Sequence, residues 1–146
     1  MEKRLTFIEI PASGRIDDAL PDIARSVCES TADLYRAIGF HSPWTGYLAK
    51  DDCCYIGTCA FKAPPENRCV EIAYFTFPGF EGKGYATQMA QHLIHIARHA
   101  RPDSIILAQT LPEENASTTI LKKLNFRLKG TQQHPEDGTI WEWELS

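Results

Sequence analysis

The chain has 146 residues, 43% hydrophobic and 23% charged, with a net charge of -4 and an isoelectric point near 5.7. That length suits one domain, residues 1–146, able to bury roughly 70% of its unfolded surface. The composition excludes a disordered chain, and the acidity argues against a nucleic-acid binder, which carries a basic face. No apolar run is long enough to span a bilayer and the first residues lack a signal-type apolar stretch, so a cytoplasmic protein with no membrane or nucleic-acid partner is expected.

Residues 5–10 partly alternate apolar and polar side chains and predict a strand. Residues 17–38 predict a helix on Leu20, Ile23, Ala24, Val27, Leu34 and Ile38, and Pro21, suited to a first turn, sets its start later than Asp17. Residues 44–50 and 54–61 read as two strands joined by a turn at Asp51-Asp52. Residues 69–77 read as a third strand of β-formers, ended by Pro78-Gly79. From residue 80 to 100, glycines lead into a helix with Ala86, Met89, Ala90, Leu93, Ile96 and Ala97 on one face. Residues 104–108 predict a short strand. Residues 115–124 predict a helix with Asn125 as its left-handed C-terminal cap. Residues 126–130 and 139–145 are the last strands, turning at Pro135-Glu136-Asp137-Gly138. Hairpins followed by crossover helices give an α/β chain of the α+β type. Its core is a single mixed, mostly antiparallel sheet of about seven strands with flanking helices.

The five cysteines, Cys28, Cys53, Cys54, Cys59 and Cys69, contain no C-x-x-C pair and read as reduced, mostly buried thiols. His95 and His99 have the i, i+4 spacing of a metal pair, but no third ligand is in view, so they read as a solvated face and no metal is expected.

The glycine stretch is the chemical signal. A glycine loop opening a helix offers unpaired N–H groups and a favourable dipole to a phosphate. The Walker pattern fails, because Gly84 follows Gly82-Lys83 where Ser or Thr is needed and the leading glycine position is Phe77. The dinucleotide fingerprint fails, because its third glycine position is Thr87. The loop Glu81-Gly82-Lys83-Gly84-Tyr85-Ala86 instead resembles the [RQ]-x-x-G-x-[GA] loop of the GCN5-related N-acetyltransferase superfamily. Glu71-Ile72-Ala73-Tyr74, Pro78, Asn115-x-Ser117, the run Leu121-Lys122-Lys123-Leu124-Asn125-Phe126 and the closing Trp141-Glu142-Trp143 are similar to its branch of ribosomal-protein N-terminal acetyltransferases. One position departs: Glu81 stands where the family carries Arg or Gln, and its carboxylate is expected to point to solvent.

The resemblance implies an acyl-CoA N-acyltransferase fold and transfer of an acetyl group from acetyl-CoA to a primary amine, of a small molecule or a protein N-terminus. It implies a pyrophosphate seat on the main chain of Gly82, Lys83, Gly84, Tyr85, Ala86 and Thr87. The pantetheine arm would pair with Phe75, Thr76 and Phe77, with Asn115 on its amide, in a gap between the strand of residues 71–77 and that of residues 105–109. Glu71 is the candidate base and Ser117 the candidate donor to the leaving thiolate, because the tyrosine many relatives use is replaced by Leu121. Helix capping is the structural role that competes for Ser117 and Asn115, and core packing the one that competes for Tyr74, Trp44, Tyr47, Trp141 and Trp143. A coenzyme A-binding sensor without turnover and a nucleotide-binding module are the rival functions. A homodimer stays open.

Overall fold

Pro21 fixes where the first helix begins. It sits at the N-cap in extended conformation, and helix α1 runs Asp22–Ile38. The computed structural model describes residues 4–146. Before α1 lies strand β1 (Thr6–Glu9), and after it β2 (Gly46–Lys50), β3 (Tyr55–Phe61) and β4 (Cys69–Thr76). Helix α2 (Tyr85–Ala100), β5 (Ile105–Thr110), α3 (Ala116–Lys123), β6 (Arg127–His134) and β7 (Gly138–Leu145) complete the chain. Seven strands and three helices therefore appear in the predicted order. The largest boundary differences are at α1, which starts at Asp22 rather than within 17–21, and at β6, which runs on to His134 through a bulge near Gly130.

The strands form one sheet in the order β1-β2-β3-β4-β5-β7-β6. Every pairing is antiparallel except β4 with β5. Parallel neighbours need a crossover, and α2 supplies it. Met89, Leu93 and Ala97 of α2 and Leu121 of α3 share one core with Val70, Ile72, Ile106, Ala108 and Trp143. On the opposite face, Ala24, Cys28 and Tyr35 of α1 pack with Leu48, Tyr55 and Phe77. Thus α2 and α3 cover one face, whereas α1 covers the other only over the strands near β3.

Asn125 ends α3 as expected. Its φ is 72°, its N–H donates to the Lys122 carbonyl, and the Phe126 N–H reaches back to Leu121. This is a Schellman closure with Asn in the left-handed position. The cysteines differ from expectation: Cys28 and Cys59 are buried, but Cys53 and Cys54 are exposed, their N–H groups both donating to Asp51 Oδ1 in the β2–β3 turn. No helix among the described residues is long and apolar enough to cross a membrane.

Candidate active site

The site begins where β4 and β5 stop pairing. Their parallel register runs from Cys69 opposite Ile105 to Ile72 opposite Ala108. Beyond that they no longer pair with each other, though β4 runs on to Thr76 beside β3 and β5 to Thr110 beside β7, and a gap opens between them. The ladder with β3 decides which main-chain groups face that gap. Lys62 N–H donates to the Glu71 carbonyl at 2.9 Å and Phe77 N–H to the Ile56 carbonyl at 2.8 Å. Antiparallel pairing alternates, so the main chain at residues 71, 73, 75 and 77 is turned to β3. The N–H and C=O groups of Tyr74 and Thr76 face the gap instead. Of the three residues expected to offer main-chain groups there, only Thr76 does. Phe77 is a core side chain, and Phe75, 52% exposed, borders the groove described below but turns its main chain to β3.

Below the gap lies the glycine loop. Gly82 has φ 78° and Gly84, the N-cap of α2, has φ 80°, both in the left-handed region. Only glycine takes up that region without cost, and no side chain caps the helix. The N–H groups of Gly82, Lys83, Gly84, Tyr85, Ala86 and Thr87 find no protein acceptor among the described residues. Donors of this kind at a helix N-terminus suit an anionic, phosphorylated group. The loop is fastened by Tyr85, whose ring is buried and whose hydroxyl donates to Asp51 Oδ2 at 3.0 Å. Burial, then the Asp51 carboxylate, raise the pKa of that phenol, which keeps it a donor. Glu81 is exposed, as expected, but its Oε1 also accepts from Gly79 N–H at 2.7 Å, and the residue borders the groove. Lys83 is exposed, its ammonium 5.9 Å from the Phe80 ring centroid.

A groove of about 580 Å³ joins this loop to the start of α3, lined by Tyr74, Thr76, Gly82, Gly84, Thr87 and Ser117 among others. At its inner end, where the strands part, a tighter cavity of about 110 Å³ is walled by Lys62, Tyr74, Gln109, Thr110 and Ser117. Tyr74 and Ser117 border both. The two candidates on α3 separate here. Asn115 is the N-cap: its Oδ1 accepts from Thr118 N–H at 3.1 Å while Thr118 Oγ1 accepts from Asn115 N–H at 2.9 Å. That reciprocal box occupies the Asn115 carbonyl, and Asn115 lies outside the groove wall. Ser117 is relieved of the capping role, and its exposed hydroxyl meets no partner among the described residues.

Glu71 stands on the other face of β4, with 22% of its side chain exposed. Its carboxylate forms an ion pair with Lys62 Nζ and accepts from Gln109 Nε2 at 3.4 Å. The Lys62 partner is absent from the sequence reading, yet its signal lay in the register, since Lys62 follows β3 directly opposite Glu71. Tyr74 is half-buried, and burial pushes its phenol up to about 12. Trp143 and Tyr47 are core side chains, Trp143 Nε1 donating to Thr110 Oγ1 at 3.0 Å, and Trp44 and Trp141 pack against the same core. His95 and His99 stack with ring centroids 6.4 Å apart, and among the described residues no three His, Cys, Asp or Glu side chains converge.

A mixed sheet split beside an uncapped glycine-led helix defines the acyl-CoA N-acyltransferase architecture. The family model described as the acetyltransferase (GNAT) domain matches residues 11–127, and the chain belongs to that family. It is 28% identical to the uncharacterized N-acetyltransferase YnaD of Bacillus subtilis (strain 168) over 83 residues. These are 57% of this chain and 49% of that protein, so the match spans about half the relative's length. Among solved structures, RimL, the ribosomal L7/L12 alpha-N-protein acetyltransferase in complex with coenzyme A, superposes with a TM-score of 0.65 at 19% identity, covering 85% of this chain and 71% of that one. The Salmonella typhimurium acetyl transferase said to modify the N-terminal serine of ribosomal protein L7/L12 gives 0.68 at 16% identity, covering 97% and 94%. These likenesses establish the fold.

Proposed function

We propose that this protein is an N-acetyltransferase that moves an acetyl group from acetyl-CoA to a primary amine by direct attack. The observation that carries the reading is the row of six N–H groups at residues 82–87 without an acceptor among the described residues, set at the mouth of a groove that ends where β4 and β5 part. The donors suit a diphosphate, and the free main-chain groups of Tyr74 and Thr76 suit an extended amide-bearing arm laid along β4 as an added strand. When bound, acetyl-CoA supplies an acyl carbon activated by its thioester.

Glu71 takes a proton from the acceptor ammonium, directly or through a water, and leaves a nucleophilic amine. As the new C–N bond forms and the C–S bond breaks, the Ser117 hydroxyl donates to the departing sulfur. Tyr74 is a second donor on the same wall, kept protonated by its burial. The Thr76 and Tyr74 N–H groups, turned into the gap, are placed to meet charge developing on the acyl oxygen. Both a small amine and a protein N-terminus remain acceptors of this chemistry, and the RimL likeness supports the second.

Calorimetric titration with coenzyme A and a thiol-release assay over an amine panel test the reading. Gly84→Asp sets a carboxylate in the anion seat at some backbone strain and should abolish coenzyme A binding in protein that still melts cooperatively. Glu71→Gln should keep coenzyme A affinity and lose turnover. Unaltered affinity in the glycine variant would remove the loop from the site, and binding without thiol release for any amine would leave a coenzyme A sensor in place of an enzyme.

A further inference from the structure

Lys62 is tied to Glu71 twice. It follows β3 directly opposite that residue, its N–H donates to the Glu71 carbonyl at 2.9 Å, and its ammonium pairs with the Glu71 carboxylate. Residues opposite each other on antiparallel strands send their side chains to one face, so register fixes the meeting. The same position puts Lys62 at the vertex of the gap. There it enters the wall of the 110 Å³ cavity together with Tyr74, Gln109, Thr110 and Ser117. Gln109 links that wall back to Glu71 through its Nε2, 3.4 Å from Oε1.

The groups that the transfer needs are thus gathered around one cavity. Ser117 and Tyr74, the donors proposed to meet the sulfur, stand in its wall, and Lys62 is a primary amine already in contact with the proposed base. Among the described residues no other lysine borders this cavity. Lys83 lies beside Phe80 at the glycine loop, Lys122 pairs with Glu114, Lys129 with Glu142, and Lys50 stands 3.6 Å from Asp18. The Lys62 side chain is 46% exposed, so packing does not lock its flexible four-carbon stem. An amine held beside its base reacts without an encounter from solution, which raises its rate over that of a free amine.

We propose that Lys62 is an internal acceptor, a self-modification site to which the chain moves an acetyl group from acetyl-CoA bound in its own groove. The inference rests on the reading of Glu71 as base and of residues 82–87 as the cofactor's seat. Glu71 takes one proton from the Lys62 ammonium and passes it to solvent. The Nζ–C bond to the acyl carbon then forms as the C–S bond breaks, and the second proton of the amine ends on the sulfur by way of Ser117. The products are an acetylated Lys62, the free thiol of coenzyme A and one proton. The change removes the Lys62 charge, ends the ion pair and leaves the Glu71 carboxylate open to an external amine.

The test incubates the full chain with isotope-labelled acetyl-CoA and locates the label by peptide mass spectrometry over time. Lys62 should take up label well ahead of Lys50, Lys83, Lys122, Lys123 and Lys129, which report uncatalysed acetylation. Its rate per chain should not change when the protein is diluted about tenfold, as for a unimolecular step. Glu71→Gln should slow Lys62 labelling by about a hundredfold, the contribution of a positioned base, and leave the other lysines at their wild-type rates. In Gly84→Asp, Lys62 should label no faster than the surface lysines. Labelling of Lys62 at the pace of the other lysines, a rate per chain that falls on dilution, or an unchanged rate in folded Glu71→Gln protein would each overturn the proposal. The comparison among lysines in the wild type decides it even where a variant fails to fold. Thiol release with an external amine but no label on Lys62 ends this proposal and leaves the acetyltransferase reading standing; neither label nor thiol release ends both.

Discussion

His92 shows how a single side chain can be set by its surroundings. Its ring stacks on Phe7 of β1 at 3.8 Å and meets Tyr47 of β2 edge-on at 5.3 Å, and its Nε2 is buried with no hydrogen-bond partner among the described residues. Burial first, then the neighbouring His95, lower its pKa below the ordinary histidine value. The folded protein therefore binds this proton less readily than the unfolded chain does. Stability is lost as pH falls below the unfolded value of about 6.5 and levels off once pH is below the folded pKa. His92→Phe keeps a ring of similar shape and removes the proton. Between about pH 8 and pH 5 its melting temperature should fall less than that of the wild type. Parallel curves for the two proteins would place the pH response in other groups.

At the scale of an element, α3 is the most informative. It has eight residues, too few to be stable alone, so its cap and its packing decide whether Ser117 is held in place. Asn115 and Thr118 satisfy two of its first N–H groups reciprocally, and Leu121 and Phe126 fix its other end in the core. Asn115→Ala should cost about 1 kcal/mol, seen as a melting point lowered by about 2–4 °C. Because Asn115 holds the element and Ser117 is proposed to meet the sulfur, the variant should lower kcat while coenzyme A affinity at the glycine loop changes little. A fall in affinity as large as the fall in kcat would give Asn115 a direct hold on the cofactor.

For the whole molecule, the parting of β4 from β5 governs the design. The sheet is continuous from β1 to β6, yet its centre is joined only over residues 69–72 and 105–108. Beyond them the two halves are held by α2, α3 and the shared core. A ligand laid in the gap bonds to groups that the sheet leaves open, and so stabilises the folded state by mass action. Coenzyme A at about a hundredfold excess over its Kd should add about 2.7 kcal/mol, raising the melting temperature by several degrees, and Gly84→Asp should show no rise. Equal shifts for both proteins in a thermal denaturation series would place binding away from the loop.

The sequence by itself determined the features that arise from neighbours along the chain. Helical and strand periodicity located ten elements in order, Pro21 located the start of α1, Asn125 the end of α3, and the glycines of the loop the opening of α2. Each is encoded within one or two turns of chain, where steric rules and unpaired N–H groups act locally. Only the tertiary structure decided which residues of β4 turn their main chain into the gap, since that depends on which alternate residues β3 has already claimed. It also decided the pairing of Glu71 with Lys62 and Gln109, 38 positions from Glu71 on another strand, and the burial of His92 against β1 and β2. Those meetings are set by strand register across the sheet, and a shift of one residue would send every side chain to the other face.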